Sequence, residues 1–395
     1  MTEFVDRQEL LSALAELPSF FPNVDPSLLE SYITALQHEK VVKFGDQYVL
    51  NTFFPPFPSK AFENVFNRGL NYPMNTNVAV TNNCHGECDY CSYVPSENGH
   101  PDLSLDQLKS IMAQLQDLKV PVIGITGGEP LLRSDLEEVV GSIDDRSSTI
   151  LFTSGRAPDG GLTLERARNL KNAGLFCMSV SLDHQNEETN DRRRFKGSHK
   201  LALRAIENAL SAGLYTVSSI VVDGKNFEEL EEYIHYMGQV GVHGIRILDI
   251  VPSGASINQP PLSAEQKRQL IEIHKKVNAD PELPQLTTFA YIESEEMFGC
   301  GAGGVHHMFV DGEGKLRPCD FVPAVFGDLT KEPLIEAHNR MRKVFALPKR
   351  TCPMGECHAG ISKILAGRNV ADGKEIEDLL AETRGNCGLP CLYKA

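Results

Sequence analysis

The chain has 395 residues, 41% hydrophobic and 23% charged, with a formal net charge of −15. That length and balance suit about two to three globular domains. The acidic charge argues against a nucleic-acid partner, because phosphate binding leaves a Lys/Arg footprint that one local run, Arg192 to Arg194, does not supply.

The start, MTEFVDRQELLSALAELPSFF, is acidic and amphipathic and lacks the basic, apolar, small-residue order of a signal peptide. No run of about 18 apolar residues suggests a membrane span. The expectation is a cytoplasmic protein with no transmembrane segment.

Residues 1–72 form an expected accessory region, helical over 10–17 and 26–38, with a hairpin over 41–50 turning at Gly45-Asp46. A helix-plus-wing module of this kind can grip a peptide leader; a cap packed on the next domain is the plainer reading. Phe53-Phe54-Pro55-Pro56-Phe57-Pro58 is incompatible with a helix and reads as a linker.

The second region, 73–285, alternates. Strand-like runs at 77–81, 120–126, 149–153, 176–182, 215–222 and 244–250 are each followed by a helical pattern. In the first such helix Leu105, Leu108, Ile111, Met112 and Leu115 share a face, and Ser104 with Gln107 reads as a capping box. Six strand–helix units in series imply parallel strands with right-handed crossovers. The predicted fold class is α/β, a partial, open (βα)6 barrel with its chemistry at the carboxyl ends of the strands. The third region, 286–395, is glycine-rich over 300–320, with a strand pair near 308–310 and 316–317 turned at Asp311-Gly312.

Ten cysteines are the most informative count. In a reducing compartment they read as metal ligands rather than disulfides. Cys84, Cys88 and Cys91 follow directly on the first barrel strand. Three thiolates on one tight loop can ligate three irons of a cubane, leaving the fourth iron open to a small molecule. A structural zinc completed by His85 is the alternative, although zinc motifs usually pair two CxxC units. Cys177, within a strand, reads as a small core residue.

Cys84-x-x-x-Cys88-x-Tyr90-Cys91, placed after the first strand of such a barrel, resembles the signature of the radical S-adenosylmethionine (SAM) superfamily. The resemblance extends over roughly residues 75–395 and implies a 4Fe–4S cluster whose open iron binds SAM. Reductive cleavage of SAM then gives a radical that abstracts a hydrogen atom, with the electron supplied by a donor such as flavodoxin or ferredoxin. By the same resemblance Gly127-Gly128-Glu129-Pro130 binds the methionine amine, and Ser181 and Asp183 contact the ribose or carboxylate of SAM. Tyr90 lies near adenine, Ser154 is a further contact, and Arg194 pairs with the SAM carboxylate. Asn190 stands where the family commonly has His.

Cys300, Gly314 and Cys319 are spaced as in the opening of the SPASM/Twitch auxiliary-cluster domain, with further thiols at Cys352, Cys357, Cys387 and Cys391. Six cysteines fall one short of the full pattern, so one or two auxiliary clusters, or a structural zinc, remain open. Asp320 follows Cys319 in a Cys-Asp-Phe tripeptide resembling that of anaerobic sulfatase-maturing enzymes, which implies a catalytic proton acceptor; an exposed turn residue is the alternative. His306 and His307 stay unassigned, since neighbours on a strand split between its faces.

The expected function is radical oxidation or cross-linking of a peptide or protein side chain. Alternatives are radical modification of a small molecule, tetrapyrrole or lipid chain, with the Phe53–Phe57 stretch touching an acyl group, or a non-catalytic iron–sulfur or zinc scaffold.

Overall fold

The structure, a computed structural model, describes residues 3–4, 36–67, 72–94, 101–294, 297–349 and 351–382. The helices expected over 10–17 and 26–35 lie outside the described residues; 36–38 form a short 3-10 turn. A three-stranded antiparallel sheet joins β1 (Glu3–Phe4), β2 (Val42–Phe44) and β3 (Gln47–Val49). The β2–β3 hairpin turns at Gly45, whose φ of +65° suits glycine. Helix α1 (Lys60–Asn67) follows.

The barrel then alternates through β4 (Asn75–Ala79), α2 (Leu105–Asp117), β5 (Val122–Thr126), α3 (Leu136–Gly141), β6 (Ser148–Thr153), α4 (Leu164–Asn172) and β7 (Cys177–Ser181). It continues through α5 (Glu187–Arg193), α6 (Ser198–Ala212), β8 (Tyr215–Val222), α7 (Leu230–Val240) and β9 (Gly244–Asp249). The Ser104–Gln107 capping box opens α2.

Strands β4 to β9 are parallel and ordered as in the sequence. The sheet goes further than six strands. After α8 (Ala264–Ala279), β10 (Gln285–Thr288) adds in parallel beside β9, followed by α9 (Phe289–Ile292). At the other edge β11 (His307–Val310) pairs in parallel with β4, and β12 (Lys315–Arg317) turns back antiparallel. Then come β13 (Ala324–Val325), β14 (Gly327–Asp328), α10 (Leu334–Val344), α11 (Pro353–Leu365), β15 (Ala371–Asp372) and α12 (Gly373–Glu382). The order β10-β9-β8-β7-β6-β5-β4-β11-β12-β14 leaves the ten-stranded sheet open, its end strands unpaired with each other.

Alternate residues on each strand face the lumen. At its floor Val122, Ile150, Cys177, Tyr215 and Val217 form one apolar cluster with Val42 and Val49 of the hairpin. The wing is thus spent on closing the barrel floor, where its valines are buried. Gln285 anchors it: its amide nitrogen donates to the carbonyls of Lys40 at 2.5 Å and of Val49 and Leu50 at 3.0 Å. The stretch after the hairpin is non-helical as expected, and Phe54 and Phe57 bury themselves with Phe62 and Phe298. No helix among the described residues is long and apolar enough to cross a membrane.

Gln285→Ala removes the amide shared by three carbonyls of this floor, and is expected to cost about 1–3 kcal/mol. Urea denaturation checks this; an unchanged midpoint would show that the floor does not depend on Gln285.

Candidate active site

Above the floor, at the carboxyl ends of the strands, lies a cavity of about 300 Å³. Cys84, Cys88 and Cys91 line it, as do Tyr90, Gly127, Gly128, Glu129, Ser154, Ser181, Asp183 and Arg194. Pro130 starts the short turn behind them and is buried rather than lining. The structure therefore brings the sequence-derived constellation to one place.

Glycine is required where β5 meets the cysteine loop. Gly127 has φ +130°, and a Cβ there would stand 2.4 Å from the Thr81 carbonyl oxygen. At Gly128 it would stand 2.2 Å from that of Asn83. Backbone N–H groups of Gly128 and Glu129 donate to these same two carbonyls, both at 2.8 Å. Glu129 accepts from Thr153 Oγ1 at 2.6 Å and from Ser154 N at 2.7 Å and Oγ at 2.5 Å, so it ties β5 to β6. Burial raises its pKa, and the hydrogen bonds oppose that rise.

Asp183 is wholly buried. Its Oδ2 accepts from the Tyr90 hydroxyl and, at 3.0 Å, from Arg194 Nη1; its Oδ1 accepts from Val221 N at 3.0 Å. Asn190 Oδ1 accepts from the Asp183 amide at 2.8 Å, while its amide nitrogen donates to Ser198 Oγ at 2.8 Å. The Arg193 guanidinium carbon stands 5.1 Å from the centre of the Tyr90 ring.

The thiols fit an iron–sulfur cluster by their surroundings. Gly86 N donates to Cys84 Sγ at 3.3 Å. A Cβ on Gly86 would lie 3.4 Å from Cys84 Sγ and 3.7 Å from Cys88 Sγ, so glycine keeps space open beside both sulfurs. Burial pushes the Cys88 thiol up to about 11, a cost that iron binding offsets by replacing the proton.

Cys300, Cys319 and Cys352 form a second group lining the same cavity. Cys300 and Cys352 hydrogen-bond through their side chains, and paired backbone hydrogen bonds join Cys300 to Lys349. Cys352 stands at the N-cap of α11, where its carbonyl oxygen accepts from the Gly355 amide at 3.1 Å. The bond from Cys300 lowers the Cys352 pKa and raises that of Cys300. Burial raises the Cys319 thiol pKa, a cost that metal binding offsets by replacing the proton. Cys357 is apart from this group: it lies along α11, its Sγ 4.0 Å from the Leu379 carbonyl oxygen. Cys387 and Cys391 lie outside the described residues.

Asp320 opens onto the cavity between these features. Asn77 Nδ2 donates to its Oδ1 at 2.9 Å, and His307 Nε2 lies 2.5 Å from its Oδ2. Burial favours the neutral acid, but the charge and hydrogen bonds of His307 and the amide of Asn77 outweigh it, so the pKa falls. His307 Nδ1 meets Asn75 Oδ1. His306, just before β11, packs on Phe298. Sequence alone left His307 unassigned and did not single out Asn77, Arg246 or Glu293, all cavity residues. Their common signal is polarity at lumen-facing or cavity-edge positions, and it becomes visible only once the strand register is known.

Gly127→Ala combines a strained φ with a backbone collision. It is expected to lose about 1–3 kcal/mol of stability and to lower iron bound per chain after reconstitution. Wild-type values for both would show that the close approach is dispensable.

Residues 78–237 match the family described as Radical SAM superfamily. Mycofactocin maturase MftC of Mycolicibacterium smegmatis is 32% identical over 213 residues, 52% of this chain and 53% of that protein. GTP 3',8-cyclase of Peptoclostridium acidaminophilum is 26% identical over 238 residues, 59% of this chain and 68% of that protein. The chain spans about half the length of the mycofactocin maturases it matches. Among solved structures, Streptococcus suis SuiB bound to precursor peptide SuiA has a TM-score of 0.58 at 14% identity, covering 71% of this chain and 67% of that one. Native anSMEcpe with bound AdoMet has a TM-score of 0.52 at 13% identity, covering 68% of this chain and 82% of that one. These likenesses support the open-barrel fold, and the family match identifies residues 78–237 as a radical SAM domain.

Proposed function

We propose that this chain is a radical SAM enzyme that oxidises or cross-links a side chain of a peptide or protein. The observation that carries the reading is the single cavity lined by Cys84, Cys88 and Cys91, by Cys300, Cys319 and Cys352, and by Asp320. The relatives support a peptide substrate: MftC is a maturase, and SuiB is described with its precursor peptide. The acyl alternative loses ground, because Phe54 and Phe57 are buried and only Phe53 of that stretch lines the cavity.

In this reading Cys84, Cys88 and Cys91 hold a 4Fe–4S cluster, and Cys300, Cys319 and Cys352 contribute to an auxiliary one. Bound cluster and SAM together supply a carbon-centred radical able to remove a hydrogen atom from an unactivated carbon. The chain's own residues orient and protect. Gly127 and Gly128 admit close backbone approach, Ser154 and Ser181 offer hydroxyls, and Arg194, fixed by Asp183, meets the SAM carboxylate. Phe152, Leu248 and Phe289 keep water from the reacting carbon. Asp320 would accept the proton lost when the substrate radical is oxidised, the auxiliary cluster would accept the electron, and Asn77 and His307 hydrogen-bond the carboxylate and fix its orientation. A small iron–sulfur or flavin protein such as ferredoxin or flavodoxin would deliver the electron.

Anaerobically reconstituted protein with a strong reductant is expected to convert SAM to 5′-deoxyadenosine and methionine, and the C84A/C88A/C91A variant to lose this. Cleavage by the triple variant would refute the reading. With peptide substrate, Asp320→Asn should keep SAM cleavage and slow oxidised product by about 10²–10⁴-fold. Product formation at the wild-type rate would remove Asp320 from the mechanism.

A further inference from the structure

Arg246 is the cavity cation that the proposed mechanism leaves unused. It lies on β9, where Ile245 and Ile247 point into the outer core and Arg246 and Leu248 line the cavity. It is only 8% exposed. Its guanidinium carbon stands 4.6 Å from the centre of the Phe152 ring, 5.0 Å from that of Phe289 and 5.4 Å from that of Phe53.

Among the described residues it makes no ion pair and no side-chain hydrogen bond, and its Nε is buried without a partner. The other cavity arginine is matched, Arg194 with Asp183, and His307 is hydrogen-bonded to Asp320. Asp320 attracts Arg246 from beyond ion-pair distance, while its own oxygens are engaged by Asn77 and His307. Burial lowers the Arg246 pKa to about 10, which still leaves a cation at neutral pH.

A buried, uncompensated cation is unfavourable for folding. The three phenyl rings offset part of that cost through their faces, yet they consume none of the five N–H donors. What the arrangement lacks is an anion with paired acceptors.

We propose that Arg246 seats a carboxylate of the substrate, so that the substrate is an acidic molecule. In a peptide this is an Asp or Glu side chain or the chain's own C-terminus. A carboxylate takes two parallel N–H donors from a guanidinium, and the fixed fork sets its orientation. The adjoining carbon is then held in the cavity that Asp320 also lines. SAM carries the other carboxylate expected here. Arg194, beside the end of β7, is the group proposed for it, whereas Arg246 is two strands further along, next to β10. The inference rests on the radical SAM reading, but its test measures binding, so the two can fail separately.

Three probes are titrated into anaerobic holoenzyme: N-acetylglutamate α-amide (side-chain acid), N-acetylglutamine (terminal acid) and N-acetylglutamine amide (no acid). At least one acid is expected to bind tenfold or more tightly than the amide, and which one identifies the carboxylate's source. R246M should abolish that preference, keep wild-type SAM affinity and raise the melting temperature of the probe-free protein, because an unpaired buried charge is gone. Equal binding of all three probes, or a preference that survives R246M, would overturn the proposal. So would SAM affinity lost in R246M, which would assign Arg246 to the cofactor, or a lower melting temperature, which would make the guanidinium structural.

Discussion

A buried carboxylate ties the cysteine loop to the barrel. Asp183 joins Tyr90, from within that loop, to Arg194 at the end of α5 and to the backbone of β8. A carboxylate without solvent is tolerable only when its oxygens are matched by donors, and here the donors come from three separate segments. The electrostatic requirement of one residue therefore fixes the mutual position of the loop, β7 and β8. Glu129 does the same for β5 and β6 through Thr153 and Ser154. Two buried acids thus join neighbouring segments of the site.

The lumen is divided along its axis by chemistry. Its floor is apolar and filled by the hairpin valines, which keeps water out from below. Its upper part holds polar side chains in pairs: Asn77 with Asp320, Asn75 with His307, Arg194 with Asp183. Gly124 permits this crowding, since a Cβ there would lie 2.1 Å from Asn77 Oδ1. Strand β11 lies beside β4 in the same sheet, so His307 and the segment bearing Asp320 join the barrel lumen directly. Both thiol groups thus open into one volume.

Much of this was legible from local spacing. The cysteine loop, the glycines of Gly127-Gly128, the Ser104–Gln107 box and the Gly45 turn each announce themselves within a few residues. Six barrel strands followed from apolar periodicity. Strand β10 did not, because Gln285, Thr287 and Thr288 are polar and the run is only four residues long. Its role depends on Gln285 meeting a hairpin more than 230 residues earlier in the chain. His307 and Arg246 were equally hidden, since their meaning lies in which strands stand beside theirs. A single arginine in the apolar run of β9 was the available hint, since charge is buried at a cost that structure or ligand must offset. Spacing also grouped Cys357 with Cys352, whereas the helix between them carries Cys357 into the core.

The proposed function requires an iron–sulfur cluster at each of the two thiol groups that open into the cavity. Anomalous diffraction at the iron edge from crystals of anaerobically reconstituted protein distinguishes the possibilities. Two separate iron peaks are predicted, one beside Cys84, Cys88 and Cys91 and the other beside Cys300, Cys319 and Cys352. A zinc signal at either group, or no iron beside the first, would contradict the account.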